Sequence, residues 1–195
     1  MKLFNLRSKR RQGGFSMVEM MVVLVVISVL TILATGAFDG ARTKAQAMLS
    51  LGKQLGDANI LLKLDTGCYV KNASALFDPT AAAIPANNYC GRSFGNTWSR
   101  PYMAKYPTDA QGRLKFDKIG AEVTASFPDR PVGTTWKRYF VQFDNVPMDV
   151  IRQGLNECNG NMDSAGDFGA DKCRTDATLS DEGTGNFQIL FDETR

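Results

Sequence analysis

The sequence of 195 residues contains no histidine. Histidine is the commonest general base and the commonest metal ligand among side chains, so its absence disfavours many hydrolytic mechanisms and many metal sites. No two of the four cysteines have the Cys-x-x-Cys spacing of zinc and redox sites. We therefore predict that the chain is not an enzyme and that it binds no metal and no cofactor.

Basic residues are concentrated at the N-terminus. The first 14 residues hold five basic side chains and no acidic one: Lys2, Arg7, Lys9, Arg10 and Arg11. Of 23 basic side chains, 18 therefore remain in residues 15–195, against 20 acidic ones. That part has no basic character to suggest nucleic-acid binding. Basic residues beside a membrane helix stay in the cytoplasm, so we expect the C-terminal part to be exported.

An uncharged apolar run of 19 residues, Met20–Phe38, follows. As a helix it would be about 30 Å long, which matches the hydrocarbon thickness of a bilayer. A membrane anchor is the favoured interpretation. A cleaved secretory signal is the alternative, because Ala34–Ala37 offers a weak cleavage site, although the run is long for such a signal.

Glu19 stands inside the apolar stretch, four residues after Phe15. A carboxylate at membrane depth costs about 2.5–3.5 kcal/mol on insertion scales, so Glu19 either pairs with a cation or lies at the headgroup level. The residues Gly13-Gly14-Phe15-Ser16-Met17-Val18-Glu19, followed by the apolar run, resemble the prepilin peptidase recognition segment. Type IV pilins and the pseudopilins of type II secretion systems carry this segment.

The resemblance implies a processing and assembly route. Prepilin peptidase would cut after Gly14, Phe15 would become the N-methylated terminus, and Glu19 would pair with the Phe15 amine of a neighbouring subunit. The chain would cross the inner membrane once with its head outside the cytoplasm. Assembly machinery in that membrane would then build it into a homo-oligomeric helical filament, an extracellular pilus.

A helical pattern continues beyond the apolar run and ends at Gly67. Apolar residues at steps of three and four mark one face: Ala41, Ala45, Met48, Leu51, Leu55, Ala58 and Leu62. We predict one helix from Phe15 to about Thr66. Four glycines interrupt this helix: Gly36, Gly40, Gly52 and Gly56. They could allow close packing of the helix against a neighbour, or they could allow it to bend locally.

Residues 67–195 read as a globular head of short segments and turns. Strands are predicted at Val123–Phe127, Trp136–Phe143 and Phe187–Phe191, and a short helix over Pro147–Asn156 with Asn145 or Val146 near its cap. The stretch from Cys68 to Lys105 is expected to be rich in loops. We predict an α+β fold with a small antiparallel sheet on the long helix. The segments are then a leader (1–14), a membrane or filament-core half-helix (15–38), an amphipathic half-helix (39–66) and the head.

All four cysteines lie in the part expected outside the cytoplasm, where disulfides persist. Of three possible connectivities we favour sequence neighbours, Cys68–Cys90 and Cys158–Cys173. The second pair encloses a segment rich in glycine, asparagine and aspartate, similar to the disulfide-bounded loop of pilins. The spacing of Asn159, Asn161 and Asp163 is that of a calcium loop, but Ala170 replaces its final acid. A solvated acidic loop is the preferred interpretation.

Three functional hypotheses follow. The first is a structural subunit of a type IV pilus, and the alternative is a pseudopilin of a type II secretion system or a minor pilin. The third is a membrane-anchored enzyme, which is disfavoured because no nucleophile–base pair is visible in the sequence.

Overall fold

The computed structural model describes residues 17–132, 136–167, 169–179 and 182–194, with the side chains of residues 17–19 and 28–39 left undefined. The predicted leader, residues 1–14, therefore lies outside the described residues. The chain divides into two compact units, Met1–Asp39 and Gly40–Arg195. The second is called the C-terminal unit below.

The first element is the helix α1, Met17–Thr66, which confirms the predicted long helix. It ends at Gly67, whose backbone has a φ of 79° and whose N–H donates to the Lys63 carbonyl at 2.6 Å. A left-handed residue of this kind is common after a helix because it satisfies one of the last carbonyl groups. Glycine adopts this conformation without strain.

The segment after α1 consists of short helical turns joined by loops, as predicted. Two 3-10 helices, Ala73–Leu76 and Pro85–Asn87, flank the one-turn helix α2, Pro79–Ala82. The Asn72 side chain accepts from the Ser74 N–H, and the Asp78 side chain accepts from the Thr80 N–H. Such caps satisfy backbone donors that a short helix leaves free.

A six-stranded antiparallel sheet forms the rest of the C-terminal unit. Its strands are β1 (Leu114–Lys115), β2 (Thr124–Ser126), β3 (Asp129–Val132), β4 (Trp136–Pro147), β5 (Cys173–Arg174) and β6 (Thr184–Thr194). The order is β1-β2-β4-β6-β5, and β3 pairs with β4 beside β2. The three predicted strands correspond to β2, β4 and β6. Strands β1, β3 and β5 have two to four residues, too few for a periodic signal.

The helix α3, Met148–Asn159, directly follows β4 and confirms the predicted short helix. Its cap position is Pro147, so the expectation of Asn145 or Val146 was wrong. Pairing with β6 carries β4 through both residues as far as Pro147, where the proline ring favours a helix start. The core lies between α1, α3 and one face of the sheet, and its largest members include Met48, Phe143 and Phe187.

Candidate assembly site

The sequence places the processing and assembly residues at the start of the chain. Gly14 and Phe15 lie outside the described residues, and the side chain of Glu19 is undefined although its backbone belongs to α1. The cut after Gly14, the methylation of Phe15 and the pairing of Glu19 therefore stay predictions.

Eight consecutive apolar side chains, Met20–Ile27, are exposed in the N-terminal unit. Each has between 45% and 65% of its surface accessible, and none carries a charge. Burying apolar surface is worth about 25 cal/mol per Å². A contiguous apolar patch of this kind marks a membrane or protein contact.

Across the residues whose side chains are defined, no helix has a segment both long enough and apolar enough to cross a bilayer. Of the predicted membrane segment, residues 15–38, only Met20–Ile27 have defined side chains.

In the C-terminal unit the predicted apolar face of α1 is the buried face. Ala45, Met48, Leu55, Ala58 and Leu62 are almost fully buried, while Ala41 and Leu51 are partly covered. In this unit, one face of α1 thus packs on the sheet and the opposite face is exposed. That arrangement is typical of an amphipathic helix that carries a globular layer on one side.

Two glycines let α1 approach β6 closely. A Cβ atom on Gly52 would overlap Ile189 Cδ1, and one on Gly56 would lie 2.7 Å from Phe191 Cβ. At Gly40, a Cβ would meet no atom within 4 Å. Close packing, one of the two alternatives from the sequence, therefore explains Gly52 and Gly56.

The first disulfide joins Cys68 and Cys90, as predicted. It fastens the chain just after α1 to the loop that follows the second 3-10 helix. Beside it, Asn59 of α1 pairs with Val70: its Nδ2 donates to the Val70 carbonyl at 3.2 Å, and its Oδ1 accepts from the Val70 N–H at 3.0 Å. Both contacts are buried, so covalent and hydrogen bonds together fix the exit of the chain from α1.

The second disulfide joins Cys158 and Cys173, also as predicted. It ties the end of α3 to β5 across the segment 159–172. The neighbouring Asn159 pairs with the backbone of Cys173, through Nδ2 to the carbonyl at 2.7 Å and from the N–H to Oδ1 at 3.2 Å. The same side-chain pairing thus accompanies both disulfides.

Within the loop closed by this disulfide, the polar side chains satisfy local backbone groups. Asn161 accepts from the Asp163 N–H at 2.9 Å, and Asp167 accepts from the Gly169 N–H at 3.1 Å. In the described part of the chain, no three of the acidic or cysteine side chains come together as a metal would require. Most of the described residues of the loop are exposed, which agrees with the interpretation as a solvated acidic loop.

The outer face of the sheet carries a polar network that the sequence did not predict. Gln142 of β4 and Gln188 of β6 are directly opposite, and Gln188 Nε2 donates to Gln142 Oε1 at 2.6 Å and to Asp176 Oδ2 at 3.0 Å. Arg130 and Arg174 both form ion pairs with Asp176. Burial opposes the ionisation of Asp176, but the hydrogen bond from Arg174 and the charge of Arg130 outweigh it and lower its pKa.

Two further carboxylates with lowered pKa values also have structural partners. Hydrogen bonds from the Thr80 side chain and backbone lower the pKa of Asp78, which caps α2. At Asp109, burial opposes ionisation, but hydrogen bonds and charge from Arg113 lower its pKa. Each perturbed acid is thus stabilised in its charged form by a local contact, whereas a general acid or base needs a pKa near the working pH.

Asn59 and Asp176 were not identified from the sequence. A signal existed for Asn59, because it interrupts the apolar face that Leu55, Ala58 and Leu62 form. Nothing in the sequence marked Asp176, whose arginine partners come from two different strands.

Comparison with known proteins finds two similarities. A family model described as the prokaryotic N-terminal methylation motif matches residues 9–35. The type II secretion system core protein G of Aeromonas hydrophila is 29% identical over 131 residues, which cover 62% of this chain and 91% of that protein. No solved structure matches the chain.

The matched residues include Gly14, Phe15 and Glu19 and the start of the apolar run, and the similarity to the secretion protein extends far beyond this motif. The motif, the long helix and the disulfide-linked antiparallel sheet all agree with the α+β architecture expected from the sequence. The chain thus carries an N-terminal methylation motif and is similar to a type II secretion system core protein.

Proposed function

We propose that the chain is the structural subunit of a type IV pilus, processed by prepilin peptidase and polymerised through α1. The observation that carries the proposal is the exposed apolar stretch Met20–Ile27 in the same helix as the methylation motif. Lipid covers this surface before assembly, and other copies of the helix cover it in the filament. Type IV pilins and pseudopilins act as structural subunits, which agrees with a role without catalysis.

Cleavage after Gly14 gives the mature chain a charged amine at Phe15. In a dry helix bundle this cation needs an anion, and the Glu19 carboxylate of a neighbouring copy supplies one. An unpaired buried charge is costly, whereas a paired one is tolerated. Because a wrong stagger leaves both groups unpaired, the pair sets the register of subunits along the filament.

The subunit is held in the inner membrane by one pass, with the C-terminal unit outside the cytoplasm. That location suits both disulfides, which persist in oxidising compartments. Its partners are then other copies of the chain, prepilin peptidase and the assembly machinery of the inner membrane.

A pseudopilin of a type II secretion system is the second candidate. The similarity to the core protein G of Aeromonas hydrophila favours it. The two disulfides, and the loop that Cys158 and Cys173 close, favour the pilus. A minor pilin would share the same processing and differ only in abundance.

Mass spectrometry of sheared surface filaments, with the membrane and periplasmic fractions analysed in parallel, separates these candidates. A major pilin gives an abundant chain in the sheared fraction, starting at methylated Phe15 and carrying both disulfides. A minor pilin gives the same chain at low abundance. Confinement to the envelope fractions, with loss of protein secretion on deletion, selects the pseudopilin. A mature chain that keeps residues 1–14 contradicts all three.

A further inference from the structure

The sequence contains one asparagine that is followed by glycine, Asn159-Gly160. Asn159 is the last residue of α3, and Gly160 follows it in the left-handed conformation with a φ of 76°. Glycine has no Cβ atom to hinder the approach of its backbone nitrogen to the preceding side chain. An asparagine before glycine is therefore prone to deamidation, in which the side-chain amide is lost as ammonia.

In this reaction the Gly160 backbone nitrogen attacks Cγ of Asn159. A bond forms between these two atoms and the bond from Cγ to Nδ2 breaks, while ammonia leaves with the proton that the backbone nitrogen gives up. Water then opens the cyclic imide at either carbonyl, which leaves aspartate or isoaspartate at position 159. A water is consumed and an ammonia is released, and no other reactant is needed.

The folded C-terminal unit holds the reacting groups apart. The Gly160 N–H donates to the Asn156 carbonyl at 2.8 Å, so this nitrogen remains in the hydrogen-bonding pattern of the helix. The Asn159 amide is bound by the Cys173 backbone, with Nδ2 donating at 2.7 Å and Oδ1 accepting at 3.2 Å. The attack requires rotation of the Asn159 side chain and backbone, and that rotation breaks these hydrogen bonds.

The loop closed by the second disulfide covers this pairing. A Cβ atom on Gly166 would overlap the Cys173 carbonyl oxygen and lie 3.2 Å from Asn159 Nδ2. Beside it, the Thr175 N–H donates to the Ala165 carbonyl at 2.8 Å, which fastens the loop to the chain after β5. The amide of Asn159 is thus enclosed between α3, the loop and β5.

We propose that Asn159-Gly160 is a deamidation site controlled by the Cys158–Cys173 disulfide: it reacts while the disulfide is open and is protected once the disulfide is formed. Without the covalent bond, the pairing of Asn159 with Cys173 has to close the loop by itself, against the chain entropy that the disulfide removes. The extent of modification then reports how long a chain has stayed unoxidised. This inference does not depend on the filament function.

Conversion of Asn159 to aspartate removes one half of the pairing. A carboxylate can still accept from the Cys173 N–H, but it cannot donate to the Cys173 carbonyl. It also sets a negative oxygen against that carbonyl oxygen, which is left without this donor at a partly buried position. A chain that deamidates before oxidation therefore has a weaker attachment of α3 to β5.

Two pairs of cysteine substitutions test the proposal in the full-length chain purified in detergent. Cys158→Ser/Cys173→Ser opens the loop and keeps the first disulfide, whereas the matched control Cys68→Ser/Cys90→Ser keeps the second. After incubation at mildly alkaline pH, peptide mass spectrometry measures the acid form at position 159. It should accumulate at least about tenfold faster in the open-loop variant than in the native chain or the control, since the loop-closure contribution of the disulfide is lost.

A neighbouring asparagine and a glycine substitution establish the chemistry. Asn161 precedes the bulky Met162, so its deamidation should be slow in every variant. Adding Gly160→Ala to the open-loop variant should suppress the reaction at Asn159, because a Cβ atom hinders the attacking nitrogen. Equal rates at position 159 in the native chain and the open-loop variant, or an equal rise in the Cys68→Ser/Cys90→Ser control, would overturn the proposal.

Gly166→Ala decides the question if amide hydrogen exchange shows that the open-loop variant has unfolded. This substitution keeps both disulfides but displaces the loop from the pairing of Asn159 with Cys173, so deamidation should be faster than in the native chain. Gly169→Ala is the matched control in the same loop, because its Cβ would come no closer than 3.4 Å to the Asp167 side chain. A native rate in Gly166→Ala would contradict the protective role of the pairing.

Discussion

Asn59 and Val70 are joined by two hydrogen bonds between one side-chain amide and one residue's backbone. The amide donates to the Val70 carbonyl and accepts from the Val70 N–H, and both residues are fully buried. The Asn59 side chain thereby makes the two hydrogen bonds with Val70 that a neighbouring β-strand would otherwise make. Asn159 does the same for Cys173 at a less buried position.

Replacing Asn59 with leucine should lower the free energy of unfolding by about 3 kcal/mol. Leucine keeps the volume of the side chain but leaves the buried N–H and C=O of Val70 without partners, and each unpaired buried group costs about 1–3 kcal/mol. Chemical denaturation of the purified subunit measures the change. The matched variant Asn159→Leu should cost less, about 1 kcal/mol, because Asn159 is partly exposed whereas Asn59 is fully buried. Equal losses would show that burial does not decide the strength of these contacts.

The sequence predicted α1, three strands, α3 and both disulfides, because long periodic segments and a small number of cysteines leave few alternatives. It did not predict what Asn59 contacts, since its partner lies 11 residues away and the bend after Gly67 brings them together. The strands β1 and β5 contain only two residues each, and their conformation depends on pairing with neighbours that are distant in sequence. Asp176 was missed because its partner Arg130 lies on β3, which is distant in sequence and comes near only through pairing of the strands.

The glycines of α1 should respond differently to alanine. Gly56→Ala gains about 1 kcal/mol of helix propensity. It also places a Cβ 2.7 Å from Phe191 Cβ, and overpacking of this kind typically costs about 1–3 kcal/mol, so we expect net destabilisation. Gly40→Ala meets no neighbouring atom and should raise stability by up to about 1 kcal/mol. Thermal unfolding of the two variants compares them, and a gain at both positions would contradict the close approach of α1 to β6.

Asp176 should make stability depend on pH in acid. Its pKa in the folded protein is lowered from 3.8, so the folded state favours the carboxylate. The stabilisation is present above the unfolded pKa and is lost as pH falls through the folded pKa. Asp176→Asn should therefore cost about 1 kcal/mol near pH 6, a modest value because both arginine pairs are partly exposed, and the difference should shrink below pH 3.8. Denaturation at both pH values measures it. A difference that stays constant with pH would rule out the ion pairs as its source.

Processing should depend on the size of residue 14. Gly14→Val places a branched side chain beside the predicted cut, where the peptidase must accommodate a small residue, and should leave residues 1–14 attached. Intact-mass measurement of membrane extracts detects the retained leader. Gly13→Ala, one residue further from the cut, is the matched control and should be processed. Normal cleavage of Gly14→Val would show that the cut lies elsewhere.

Glu19 provides the sharpest test of the assembly mechanism. Glu19→Ala should still enter the membrane, because removing a charge makes the segment more apolar. It should still be cleaved, because the substituted position lies five residues after Gly14, away from the cut. It should nevertheless form few filaments, since the incoming Phe15 amine would find no anion in a low-dielectric bundle.

Glu19→Gln separates charge from shape. Glutamine keeps the size of the side chain and one acceptor oxygen but has no charge to balance the amine, so it should also assemble poorly. Filament yield is measured beside the abundance of the cleaved chain in the membrane, so that a defect in assembly is distinguished from one in insertion or processing. If charge balance is the mechanism, Glu19→Asp should retain more assembly than Glu19→Gln. Normal filaments from both Glu19→Ala and Glu19→Gln would instead place Glu19 at the membrane surface, without a role in subunit register.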